Sequence, residues 1–456
     1  MTQTMGMDSR SLLVELLVEE LPPKALAKLG EAFARELFEQ LKTQNLLLAQ
    51  SVYTSFATPR RLAVHVAGVL RQAPAQPDLR KLMPLTVAFK DGVATEAYRK
   101  KLTGMGRAHL ADKGIGASDG ADQIIVRNDG KVDVVYFSGL AQGVALQVGL
   151  QNAIDVTIAK LPIPKVMTYQ LDALSHAELP GWTSVSFVRP VHGLVALHGN
   201  EIVPVTALGK DAGRITRGHR FESPKAEVAF DHADGYAQTL ANDGAVTADF
   251  AVRRADIERQ LQAACAAIGD GMQVVQDAAL LEEVTALVER PNVLVCSFEE
   301  QFLEVPQECL ILTMKANQKY FPLLDAFGKL TNRFLIVSNV SPADPSAVIG
   351  GNERVVRPRL ADARFFFDQD RKRNLLSRVE QLDRVVYHSK LGSQKDRMER
   401  VRTIARDLAT QLGDAGLVET VDTAAQLAKA DLLTDMVGEF PELQGIMGGY
   451  YARHDG

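Results

Sequence analysis

Three features are scarce in this 456-residue chain: cysteine, charge of one dominant sign, and long apolar runs. Cys265, Cys296 and Cys309 sit in apolar surroundings without CxxC or Cys/His spacing, which argues against a disulfide framework and a structural zinc centre. They read as reduced thiols of a cytoplasmic protein. No apolar run reaches membrane-spanning length, so no membrane partner is expected. The opening MTQTMGMDSR lacks a basic patch followed by an apolar stretch and does not read as a secretory signal; residues 1–10 are expected to form a loose tail. Lys and Arg number 51 against 56 Asp and Glu, a net charge of −5, so any nucleic-acid contact must come from local clustering. Phosphate-loop, dinucleotide, HExxH, GxSxG and kinase signatures are all missing.

What is present fits a soluble globular protein: 46% hydrophobic, 23% charged and long enough for two or three domains. Ser11–Val18 reads as a buried strand. Pro23 then opens a helix, with Leu26, Leu29, Phe33, Leu37 and Leu41 recurring on one face. Val52–Phe56 and Leu62–Val66 read as strands joined through Thr58-Pro59-Arg60-Arg61. Between about 85 and 145, Gly-rich turns alternate with short strands, and Asn128-Asp129-Gly130 marks a hairpin, suggesting a small subdomain. Helices are predicted over Asn152–Leu161, Ala248–Ile268, Ala279–Glu289 and Pro306–Asn317, with a hairpin around Phe327-Gly328-Lys329. Ser, Pro, Asp and Gly accumulate at Asn339–Gly351, and from Glu353 the pattern is almost wholly helical. The fold class is α+β: a mixed strand/helix body over 11–340, then a helical domain over 341–456.

Basic residues recur beside prolines, glycines and aromatics. Candidate RNA contacts are Arg60 and Arg61 on a strand connection, Lys165 after Leu161-Pro162-Ile163-Pro164, and Arg189 and His192 around Pro190. Arg217, His219 and Arg220 around Gly218 form a further group, as do Lys315 and Lys319. Guanidinium forks suit phosphate, and neighbouring aromatics suit unpaired bases. The densest stretch, Glu353–Arg373, holds seven basic and four acidic residues, and contributes Arg357, Arg359, Arg371 and Lys372 as candidates. There, arginines would form a cationic surface on a helix whose Phe365–Phe367 side packs inward. The alternative throughout is that each cation pairs with an acid or caps a helix.

The helical tail also suggests a degenerate HD-type metal phosphohydrolase. His388 would supply the first ligand, but the His of the His-Asp pair is replaced by Thr434, before Asp435. Thr is a poor ligand for a transition metal. His454-Asp455 is the literal pair. No catalytic or metal-binding residue is therefore assigned.

Taken together, Glu19-Glu20-Leu21-Pro22-Pro23, Pro59-Arg60-Arg61-Leu62 and Leu161-Pro162-Ile163-Pro164-Lys165 resemble bacterial glycyl-tRNA synthetase beta subunits. The resemblance continues through Phe187–His192, Arg217–Phe221, Gln318–Pro322, Gly351–Lys372 and Tyr451–Gly456. Leu17-Val18 departs from the expected Gly-Thr, and Met167-Thr168-Tyr169 from Met-Arg-Trp, which removes a basic residue. The resemblance implies a heterotetramer of two alpha and two beta subunits that makes glycyl-tRNA from glycine, ATP and tRNA. In such an enzyme the alpha subunit uses ATP and Mg, and beta binds tRNA without catalysing the reaction. That division agrees with the absence here of HIGH-like, KMSKS-like and class II arginine motifs. Family members continue into an anticodon-binding region, so the chain reads as an amino-terminal fragment. Two alternatives are carried forward: the HD-type hydrolase, and a purely structural scaffold for alpha.

Overall fold

Every residue from Leu12 to Val18 is buried, which places strand β1 (Ser9–Val18) at the centre of a sheet rather than at its edge. The computed structural model describes residues 8–171, 184–413 and 415–456. It divides into two compact units, Met1–Asp249 and Phe250–Gly456.

In the first unit, β1 leads into helix α1 (Pro23–Thr43) and the hairpin of β2 (Tyr53–Thr58) and β3 (Arg61–Leu70). Pro23 occupies the first helical turn, where no intrahelical partner for its amide is needed, and Leu26, Leu29, Phe33, Leu37 and Leu41 are buried on one face as their spacing predicts. Next come β4 (Gln76–Pro84), α2 (Glu96–Gly104), β5 (Asp122–Asn128) and β6 (Asp133–Ala141). These elements enclose their own core around Tyr98, Leu102, Ile124 and Phe137, with Asn128-Asp129-Gly130 in the predicted hairpin turn. After α3 (Leu146–Lys160), the chain returns as β7 (Val191–His198) on the free side of β1. The sheet then runs Thr206–Ala207, Lys210–Gly213, β7, β1, β3, β2.

One face of this sheet carries Leu13, Glu15 and Leu17 of β1. The registers place Glu15 opposite Ala63 and Val195, and Leu17 opposite Arg61 and Gly193. Val228, Phe230, Tyr236, Leu240 and Val246 cover it. Helix α1 packs on β2 and β3 and against α3. Ser9 and Arg10, expected in a loose tail, instead pair with Leu70 and Val69, and Arg10 meets Glu201 at 2.8 Å; residues 1–7 of that tail lie outside the described residues.

The second unit opens with α4 (Phe250–Ile268) and α5 (Ala278–Thr285), followed by β8 (Asn292–Ser297), α6 (Gln307–Gln318), β9 (Phe321–Leu324) and β10 (Leu330–Ser338). Residues 339–345 join β10 to α7 (Ser346–Asp370) inside this unit, since both flanking elements enter one core. Helix α7 starts before the expected Glu353 and includes Gly350 and Gly351. Packing of Val348 and Ile349 against that core outweighs the low helix propensity of glycine. Its buried face is Val356, Leu360, Ala363 and Asp370, a helical spacing. Phe366 and Phe367 pack inward as predicted, but Phe365 is 57% exposed.

The tail is not purely helical, because Val386–His388 and Gly392–Ser393 form a small hairpin. It continues as α8 (Gln394–Gln411), α9 (Ala415–Leu427), α10 (Asp435–Glu439) and α11 (Ile446–Asp455). Ser393 and Asp396 close a capping box on α8. Asp370 is 2% exposed and holds the tail in place. It accepts the amides of Asp435 and Met436 at 2.8 and 3.0 Å and the Tyr451 hydroxyl at 2.8 Å, while Arg378 stands 3.4 Å away. Burial beside that carboxylate pushes the Tyr451 phenol far above its usual range. Burial likewise raises the Cys296 and Cys309 thiols to about 12, so neither is a ready thiolate.

Tyr451→Phe, which removes one donor from a buried carboxylate, is expected to destabilise the chain by about 1.5–3 kcal/mol. Urea unfolding followed by circular dichroism measures this; an unchanged midpoint would show that Asp370 does not need the phenol.

Candidate nucleic-acid interface

Sequence-distant basic residues meet in the first unit because of strand direction. Strand β1 ends at Val18, and its antiparallel neighbours β3 and β7 begin at Arg61 and Val191, so three strand ends share one edge. The junction is sewn by backbone bonds: Val18 N–H to Arg60 O at 2.8 Å, Glu19 N–H to Pro190 O at 2.9 Å, and Leu21 N–H to Pro59 O at 2.7 Å. Pro59 and Pro190 bring no amide of their own and serve these turns through their carbonyls. Glu19, Arg60, Arg61 and His192 thereby converge.

A second segment, Arg217-Gly218-His219-Arg220, closes the site. The His219 amide donates to Gly244 O at 2.7 Å, and the Arg61 guanidinium donates to Arg217 O. Only glycine fits at 218, because an added Cβ would stand 2.6 Å from Gly244 O and 2.3 Å from Ser223 Oγ. The result is a cleft of about 280 Å³ lined by Glu19, Arg60, His192, Arg217, Gly218, His219, Arg220, Ser223, Lys225 and Ala226. Four Lys or Arg and one carboxylate line it, so its side chains carry an excess of positive charge. Glu19 lies 3.1 Å from His192 Nε2 and 3.4 Å from Arg220 Nη2, and Lys225 pairs with Asp243 at 2.8 Å.

Behind the cleft, the charge is structural. Arg61 and Glu15 are both fully buried, with Nε 3.5 Å from Oε2. Glu15 also accepts the hydroxyls of Thr216 and, at 2.5 Å, Tyr236. Arg61, read as an RNA contact, is therefore a wall element whose guanidinium faces inward. Arg189 likewise turns toward the protein, donating to Glu20 O and Val188 O at 2.9 Å each. Lys165 is exposed on the segment after α3 and does not line the cleft.

In the second unit, four of the six candidate cations, Lys315, Lys319, Arg357 and Arg371, lie within ion-pair distance of an acid. Lys315 meets Asp277, and Lys319 lies 3.2 Å from Glu283, tying α6 to α5. Both carboxylates belong to the α5 region, whose first turn Asp277 caps. On α7, Arg357 pairs with Glu299 and Arg364 with Glu304. Arg371 stacks over Phe367 at 5.1 Å and lies 3.8 Å from Asp368, and Lys372 donates to Gln369 at 3.0 Å. Arg359 is exposed and makes no ion pair among the described residues.

Of the HD-type residues, Thr434 and Asp455 hold structural contacts, while Asp435 and His388 are exposed. Thr434 caps α10 through Val437 N–H, Asp435 is exposed, and Asp455 accepts the Leu375 amide at 2.6 Å. His388 sits on an exposed hairpin. Among the described residues, no three His, Cys, Asp or Glu side chains are grouped to hold a metal ion.

Sequence reasoning missed Glu19, Ser223 and Lys225 at the cleft and Glu15, Thr216 and Tyr236 behind it. Only Glu15 left a signal, as a lone charge inside an apolar strand.

The proteins similar to this chain are components of aminoacyl-tRNA synthetases. The chain belongs to the glycyl-tRNA synthetase beta subunit family, whose model matches residues 12–456. It is 60% identical over 453 residues to the glycine–tRNA ligase beta subunit of Polaromonas naphthalenivorans, covering 99% of this chain and 62% of that protein. The beta subunit from Dechloromonas aromatica is 60% identical over 455 residues, with the same 99% and 62% coverage. The one from Leptothrix cholodnii is 59% identical over 464 residues, covering 99% and 63%. The chain thus spans about 62% of the length of the curated relatives it matches.

Removing Arg61 as Arg61→Ala leaves Glu15 buried without its counter-charge and is expected to cost about 3–5 kcal/mol. Thermal and urea unfolding measure the loss; a loss under about 1 kcal/mol would mean that the two hydroxyls alone satisfy the carboxylate.

Proposed function

We propose that this chain is the tRNA-binding, alpha-docking part of a glycine–tRNA ligase beta subunit, supporting glycylation without carrying the reacting site. Family membership across residues 12–456 is the observation that carries this reading. The cationic cleft supports it physically, since phosphate binding needs exposed guanidinium and ammonium groups on a fixed frame.

In this reading the partners are tRNA(Gly) and a separate alpha subunit in an alpha2beta2 assembly of the cytoplasm. ATP and magnesium act on alpha. In the second unit, Arg359 is the strongest RNA candidate, because it is exposed and its guanidinium makes neither an ion pair nor a hydrogen bond among the described residues. The paired state of Lys315, Lys319 and Arg357 favours a scaffold role for those three residues.

The test is glycylation with this chain, its alpha partner, and each alone, beside a tRNA titration. The expected outcome is tRNA binding by this chain, glycylation only with alpha present, and no adenylate from this chain by itself. Adenylate formation by this chain alone, or a failure to bind both tRNA and alpha, overturns the reading. Arg359→Glu is expected to weaken tRNA binding and flatten the log–log salt dependence by about one unit. Unchanged affinity in the folded variant would remove α7 from the RNA surface.

A further inference from the structure

His219 is 2% exposed yet lines the cleft. Its Nδ1 accepts two backbone amides, Phe221 and Glu222, each at 3.2 Å. An imidazole nitrogen that accepts two N–H groups carries no proton, so the proton of the neutral ring is on Nε2. That Nε2 is buried and has no hydrogen-bond partner among the described residues. A buried donor without a partner is costly, and nearly all such groups in folded proteins are satisfied. The backbone around it is not free to relax, because Gly218 is wedged against Gly244 and the His219 amide is bound to Gly244 O. The ring is therefore held with a donor ready in a wall that also carries Arg217 and Arg220. Arg217 is exposed, and its guanidinium makes no ion pair among the described residues.

We propose that this cleft is a binding site for one phosphate group, with His219 Nε2–H as a neutral donor and Arg217 as the principal cation. A donor fixed in position supplies direction, and the guanidinium supplies charge. Arg220, which also lines the cleft, is restrained by Glu19. The phosphate belongs either to an RNA backbone or to an RNA end; the donor chemistry is the same for both. The proposal rests on the RNA-binding reading for its ligand but can be tested without it.

Two probes are used with the full chain: inorganic phosphate, and a short RNA hairpin carrying either a 5′-phosphate or a 5′-hydroxyl. His219→Asn keeps an acceptor near the Nδ1 position for the Phe221 and Glu222 amides and deletes the Nε2 donor. His219→Gln places an amide donor near the Nε2 position. Unfolding curves verify that each variant is folded. In the wild type, phosphate is expected to shift the His219 Nε2–H resonance. His219→Asn is expected to bind the hairpin about tenfold or more weakly, with partial recovery in His219→Gln.

If the 5′-phosphate strengthens wild-type binding and that advantage vanishes in His219→Asn, the site takes a terminal phosphate. If both hairpins bind alike and both weaken, it takes a backbone phosphate. Wild-type affinity in folded His219→Asn, together with a His219 signal unmoved by phosphate, overturns the proposal. A signal that moves with phosphate in a chain that binds no tRNA would instead uphold the site and sink the RNA reading.

Discussion

Glu15 sits at the midpoint of a strand whose other residues from Leu12 to Val18 are all apolar, and it has no exposure to solvent. A carboxylate there survives only if its charge and lone pairs are met. Arg61 meets the charge, while Thr216 and Tyr236 occupy the oxygens. Each of these partners comes from a different part of the chain. The pair thus ties β1, the start of β3 and the 216–236 segment to one point. The same guanidinium reaches Arg217 O, at the rim of the cleft. A buried ion pair is weak evidence for net stability, but its geometry specifies which segments meet. Here the segments it gathers are those that carry Arg60, Arg217 and His219.

The second unit repeats this device with different chemistry. Asp370, at the end of α7, uses both oxygens on the amides that begin α10 and a third contact on Tyr451. Asp431 is also buried and accepts the amides of Gly445 and Gly448, the latter at 3.1 Å. Helix starts leave unpaired amides, and a buried carboxylate satisfies several at once. These carboxylates are therefore fasteners of the helical tail. Thr434, at the position where an HD-type hydrolase would need histidine, caps α10.

Much of the fold was legible because it follows local periodicity. The buried β1 run, the α1 face, the Asn128-Asp129-Gly130 hairpin and the inward side of α7 all follow from spacing and turn chemistry. Helix α7 beginning before Gly350 was not legible, since local propensity argues against it and distant packing decides. The candidate site was legible in composition and not in orientation. Arg61 and Arg217 belong to similar basic motifs, yet one is fully buried on a carboxylate and the other is exposed.

By itself, the sequence determined the family, the main elements and the stock of cations available for binding, because these depend on residue identity and short-range spacing. Tertiary structure decided which cations are free. Pairing of Lys315 with Asp277 or Arg357 with Glu299 joins residues tens of positions apart, and no local pattern encodes it. Tertiary structure also joined the ends of β1, β3 and β7, because antiparallel order brings the end of one strand beside the starts of its neighbours. It fixed the His219 proton on Nε2 as well, since that depends on two amides folding back onto Nδ1.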